Sequence, residues 1–97
     1  MKNDILDKRI NLESQGISGD VWKITDCKDV IEGALCENKV ILGGEILALR
    51  NGEYLFESSN WYYNGNSCEE SVKRAKEYFS KWDAKPDLAV LFVFKSL

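Results

Sequence analysis

Ten residues, Val40 to Leu49, are apolar at nearly every position and end on Asn51-Gly52. A strand that is apolar on both sides cannot tolerate water on either face, so it belongs inside a sheet and not at its edge. Asn-Gly is the strongest short-range hairpin signal, because a type I′ turn needs positive φ at both central residues. The chain therefore turns back at 51–52 into a return strand, Glu53 to Glu57. Two features of this region call for more than a folding explanation. Gly43-Gly44-Glu45 interrupts the apolar strand, and Trp61, Tyr62 and Tyr63 follow in a segment otherwise rich in Ser, Asn and Gly.

Around this hairpin the rest of the fold reads as follows. Asn3 or Asp4 can cap a first helix carrying Ile5, Leu6 and Ile10, with Gly16 placed to end it. Ile17 to Ile24 is a short strand or a packed loop. Asp26 is an N-cap candidate for a second helix whose apolar face is Cys27, Val30, Ile31, Ala34 and Leu35. The loop from Ser58 to Ser67 is the longest. Ser67 and Glu70 then match a capping box for a helix that buries Val72, Ala75, Phe79 and Trp82. Its pairs Glu69–Lys73, Glu70–Arg74 and Glu77–Lys81 stand four apart in the favourable order, which makes the basic residues a solvated face. Pro86 ends the connection to a last strand, Leu88 to Lys95, apolar enough to pair centrally with Val40–Leu49. The expected architecture is α+β: a largely antiparallel sheet of three or four strands with about three helices packed on it, formed by residues 1–97 as one domain.

Composition limits the chemistry. The chain has no histidine, which removes the commonest general base and the usual nitrogen ligand of zinc. The three cysteines cannot all pair. Cys27 and Cys36 lie on opposite faces of the second helix, roughly 13 Å apart along its axis, so no bridge joins them. Reduced thiols in a cytoplasmic protein are the reading that follows. Cys68 begins a helix, where the dipole would lower its pKa, but it has no histidine to pair with. No catalytic, metal or cofactor residues are assigned. The net charge of −3 argues against nucleic acid, since phosphate binding needs a surplus of Lys and Arg. The Met1 end has no apolar core of a signal peptide, and no apolar run is long enough to span a bilayer.

Gly43-Gly44-Glu45 has two readings. It is a bulge, or a gap over which a bulky side chain such as Trp82 or Phe79 passes. Alternatively, it exposes backbone to a partner while Glu45 supplies charge. Tyr54 and Phe56 alternate onto the core side of the return strand. Trp61, Tyr62 and Tyr63 are consecutive and cannot all point inward. Trp61 divides evenly between a core anchor and a contact residue, and Tyr62 and Tyr63 are read as partner contacts. With Asn60 and the carboxylates Glu45, Glu53 and Glu57 beside them, they form the candidate partner-binding set.

The run Ile41-Leu42-Gly43-Gly44-Glu45, the hairpin, Asn60-Trp61-Tyr62, and a Ser71-Val72-x-Arg74-Ala75-x-x-Tyr78 helix before an apolar last strand together resemble a known family. It is a family of small bacterial immunity proteins from polymorphic-toxin and contact-dependent growth-inhibition systems, whose members carry a Gly-Gly-Asp-type motif. The resemblance covers roughly residues 26 to 95. Glu45 stands here where the family has Asp, which keeps the charge but lengthens the side chain. The resemblance implies a non-enzymatic protein that binds and neutralises the C-terminal domain of a cognate toxin, most often a nuclease, in the cytoplasm. The alternative is a small protein- or peptide-binding regulatory module unrelated to toxins.

Overall fold

The computed structural model describes residues 3–82 and 87–96. Its elements are α1 (Asn3–Asp7), β1 (Asp20–Lys23), α2 (Cys27–Cys36), β2 (Lys39–Arg50), β3 (Glu53–Tyr62), α3 (Cys68–Phe79) and β4 (Leu88–Ser96). The four strands form one antiparallel sheet in the order β1-β4-β2-β3. The fold is α+β, and the two most apolar strands, β2 and β4, lie side by side in the middle. β1 and β2 run parallel with β4 between them, and β3 and β4 run parallel with β2 between them. The helices α2 and α3 thus connect strands that are not neighbours, and both pack on the same face of the sheet.

The hairpin turn has the geometry that Asn-Gly demands, with φ of 52° at Asn51 and 81° at Gly52. The face toward the helices holds the main core: Ile41, Ile46, Ala48, Val90 and Phe92 from the sheet against Val30, Ile31, Ala34, Val72, Ala75 and Phe79 from the helices. Trp22 of β1 closes one end. Its indole N–H donates to the Ile5 carbonyl at 2.8 Å, and its ring meets Phe92 and Phe94 edge-on.

Several local expectations are corrected. The first helix stops at Asp7 and does not reach Gly16, because the Ile10 amide leaves the helix to donate to Val21 of β1 at 2.8 Å. Gly16, at φ 75°, closes a short 3-10 turn, Glu13–Gln15. Asp26 caps nothing with its carboxylate: a 3-10 turn over Ile24–Asp26 leads straight into α2, and Asp26 lies 3.9 Å from Lys8. The return strand does not end at Glu57 but runs to Tyr62, so most of the aromatic segment is strand and not loop. Of the three expected pairs along α3, only Glu70–Arg74 forms an ion pair among the described residues, at 3.8 Å. Pro86 lies outside the described residues.

The join between α3 and β2 depends on one buried hydroxyl. The β2–β4 register shifts between Ile41 and Gly43. Ser71, fully buried, accepts from the Ile41 amide at 3.0 Å and donates to the Cys68 carbonyl at 2.8 Å. Ser71→Ala should therefore destabilise by about 1–3 kcal/mol, the cost of a buried donor without a partner. Urea unfolding of the variant measures this, and an unchanged midpoint would show that the Ile41 amide finds another acceptor.

Candidate functional site

The site is built from the strand rows that cross the sheet on the side away from α2 and α3. Neighbouring residues in the ladder share a face, so the register places Tyr62, Gly43 and Val93 in one row and Asn60, Glu45 and Leu91 in the next. Phe56, Leu47 and Ala89 form a third row. The N-terminal segment covers half of this face: Ile10, Leu12 and Ile17 pack on Val21, Leu47, Ala89, Leu91 and Tyr54. The other half is bare. Tyr62 is 72% exposed, Phe56 52% and Val93 47%; Leu49 is also exposed, but at the hairpin end opposite Tyr54.

Trp61 sets this arrangement. Its side chain is 8% exposed and points to the helix face, where it stacks on Tyr78 with centroids 4.8 Å apart and meets Phe79 and Phe92 edge-on. Gly44 gives it room: a Cβ there would sit 2.6 Å from the Trp61 ring and 2.5 Å from the Leu91 carbonyl oxygen. At Gly43, φ is 148° and a Cβ would come within 2.2 Å of the Trp61 carbonyl oxygen. Both glycines are thus required by the fold, and the ring that passes close is Trp61, not Trp82 or Phe79. Gly43→Ala and Gly44→Ala should each lower stability by about 1–3 kcal/mol, because backbone atoms and, at Gly44, the packed Trp61 ring occupy the space. Thermal melts of the two variants test this; midpoints equal to the parent's would show that the strands part at no cost.

Tyr63 was expected at the surface and is buried, with 7% exposed. The strand alternation that turns Tyr62 out turns Tyr63 in. Its hydroxyl accepts from the Ser67 amide at 3.1 Å and donates to Glu70 at 3.5 Å, and the Arg74 guanidinium lies 5.6 Å from its ring centroid. It fastens the 63–67 loop to α3. Ser67 caps α3 by accepting from the Glu70 amide at 3.2 Å. The reciprocal half of the capping box does not form, since the Glu70 carboxylate faces Tyr63 and Arg74.

Of the seven candidate residues, Glu45, Asn60 and Tyr62 come together on the bare half of the sheet. Glu53 and Glu57 are exposed farther along β3, and Glu57 lies 3.7 Å from Arg50. Trp61 and Tyr63 belong to the core. Phe56 was expected inside and is exposed instead: a bulge between Glu45 and Leu47 carries it past the covering segment. Leu49, Leu91 and Val93 were not singled out, although every second residue of β4 was a candidate once one sheet face was known to be partly bare.

Cys27 and Cys68 are buried and Cys36 is exposed, all three as free thiols. Burial, and then Asp26, raises the Cys27 pKa. Burial and the Glu69 carboxylate likewise push Cys68 above the ordinary thiol value of 9.0, opposite to the shift expected at a helix N-terminus. Among the described residues no three His, Cys, Asp or Glu side chains stand together as metal ligands, and no helix is long and apolar enough to cross a membrane.

Fold and surface together define a two-layer α+β protein with two helices packed on one sheet face and the other face partly bare. The family model described as Immunity protein 40 (Imm40) matches residues 11–95, and the chain belongs to this family. Searches of curated proteins and of solved structures return no match.

Proposed function

We propose that the protein is a non-enzymatic inhibitor that binds the C-terminal domain of a cognate bacterial toxin, a nuclease, and neutralises it in the cytoplasm of the producing cell. One observation carries the placement of the contact: Tyr62, Phe56 and Val93 are exposed apolar side chains on the uncovered half of one sheet face. Apolar patches of this kind on small proteins mark docking sites, and tyrosine is enriched where binding energy concentrates. Membership of an immunity protein family supports a toxin as the partner. The absence of histidine and the raised thiol pKa values fit a protein that acts by occlusion. The whole chain, 1–97, works as one domain in this reading.

The bare half of the sheet docks on the toxin, with Tyr62 and Phe56 as apolar anchors and Asn60 between them. Glu53 and Glu57 lie toward the rim, where charge steers encounter with an electropositive nuclease more than it holds the complex. Tyr62→Ala should weaken binding to the toxin domain encoded beside this gene by about 2 kcal/mol or more. Tyr63→Phe should leave affinity unchanged while lowering stability. Calorimetric titration with the purified toxin domain, paired with survival of cells expressing it, decides the matter. If the parent chain neither binds nor protects, the inhibitor reading is wrong. If it protects while Tyr62→Ala binds as tightly as the parent, the contact lies elsewhere.

A further inference from the structure

The row Tyr62–Gly43–Val93 has a ring at one side, an isopropyl group at the other and no side chain between them. The result is a hollow of about 390 Å³, with Gly43 and Gly44 at its base, Tyr62, Leu91 and Val93 on its walls and Glu45 at its mouth. The charged groups of this region differ in one respect. Lys95, which also borders the hollow, is hydrogen-bonded to the neutral Asn66 amide and keeps its charge, whereas Arg50 is held by the carboxylates Glu57 and Asp87. Glu45 makes no ion pair or hydrogen bond through its side chain among the described residues. It is exposed, yet its row neighbours are Leu91 and the neutral Asn60.

This placement constrains what can cover the face. A partner that buries Tyr62 and Val93 must also strip water from Glu45, and a buried carboxylate without a counter-ion opposes binding strongly. Lys95 is engaged by Asn66 and makes no ion pair with Glu45 among the described residues, so a cation on the partner is the group that best answers this carboxylate. The walls require that its stem be apolar and that its head tolerate an aromatic ring. A guanidinium meets both conditions, because it is planar, stacks on tyrosine and forks onto a carboxylate, whereas an ammonium is compact and strongly hydrated.

We propose that this hollow receives one arginine side chain of the toxin, its stem between Tyr62 and Val93 and its guanidinium on Glu45. The inference rests on the inhibitor reading above and adds the chemistry of the contact. Gly44 makes room for the Trp61 ring on the helix face, Gly43 lets the Trp61 carbonyl approach, and neither places a side chain between Tyr62 and Val93, where the arginine stem lies.

The test is a set of double-mutant cycles by calorimetric titration, using the intact chain and the toxin domain with each arginine and lysine changed in turn to Ala. Glu45→Gln should fold like the parent, since its side chain is exposed, and should bind the toxin about 30-fold more weakly or worse. For one toxin arginine, the combined loss should be no greater than the loss from either change alone, while all other positions add. Binding by Glu45→Gln within threefold of the parent overturns the proposal and leaves the inhibitor reading standing. So does additivity at every arginine, or coupling to a lysine instead. A parent chain that does not bind the toxin domain overturns both.

Discussion

The contact between the Trp61 ring and the Gly44 backbone is the constraint from which the rest of the structure follows. The largest side chain of β3 lies flat against a strand position that has none, and Tyr78, Phe79 and Phe92 close around it. Each such ring pair contributes about 0.5–1.5 kcal/mol beyond the area it buries. The seat has a cost, since the indole Nε1 is buried with no acceptor among the described residues. That the ring stays there shows that packing outweighs one lost hydrogen bond. Once Trp61 is turned toward the helices, strand alternation fixes its neighbours: Tyr62 must face the opposite side, and Tyr63 must turn in again.

The same alternation makes the two faces of the sheet unequal. Two helices cover one face. Among the described residues the other is covered by a short N-terminal segment whose apolar residues, Ile10, Leu12 and Ile17, reach half-way across. That segment also protects the edge of the sheet. Gln15 accepts from the Tyr54 amide at 3.1 Å and donates to the Tyr54 carbonyl at 2.8 Å, as a neighbouring strand would. The bulge beyond Tyr54 and the charges of Glu53 and Glu57 further discourage edge-to-edge pairing. The protein therefore guards its open strand edge while leaving an apolar face uncovered. Selection against aggregation would remove such a face first if it had no occupant.

Much of the fold was legible because its signals are local. Asn51-Gly52 specifies its turn, the unbroken apolar runs of β2 and β4 require central positions, and the stripe from Val72 to Phe79 requires a helix. The misreadings that change the outline of the fold involve contacts distant in sequence. Ser58, Ser59 and Asn60 look like a loop, but pairing with Gly43–Glu45 holds Asn60 to Tyr62 in the sheet. The first helix has caps at the right spacing, yet β1 captures the Ile10 amide, and a thin stripe cannot compete with a strand partner. The candidate site was half legible for the same reason. Three consecutive aromatics require at least one to face out. Which one does depends on strand register, and the register is set by Gly44 and Trp61, seventeen positions apart.

Charge alone would draw attention to a different place. A larger hollow, about 600 Å³, lies between α1 and α2 and is bordered by Asp4, Asp29, Glu32 and Glu37. A basic partner would feel that field, but exposed carboxylates in water contribute little once screened by salt. Among the described residues no large exposed apolar side chain borders that hollow, and Ile5, which does border it, is already part of the core. On the bare half of the sheet the proportions are reversed: one carboxylate, unpaired among the described residues, and one lysine stand among tyrosine, phenylalanine, valine and leucine. A charge in an apolar surround is desolvated on contact, so it discriminates sharply between a partner that answers it and one that does not. The helical groove is suited to attracting any basic protein, whereas the sheet face is suited to selecting one.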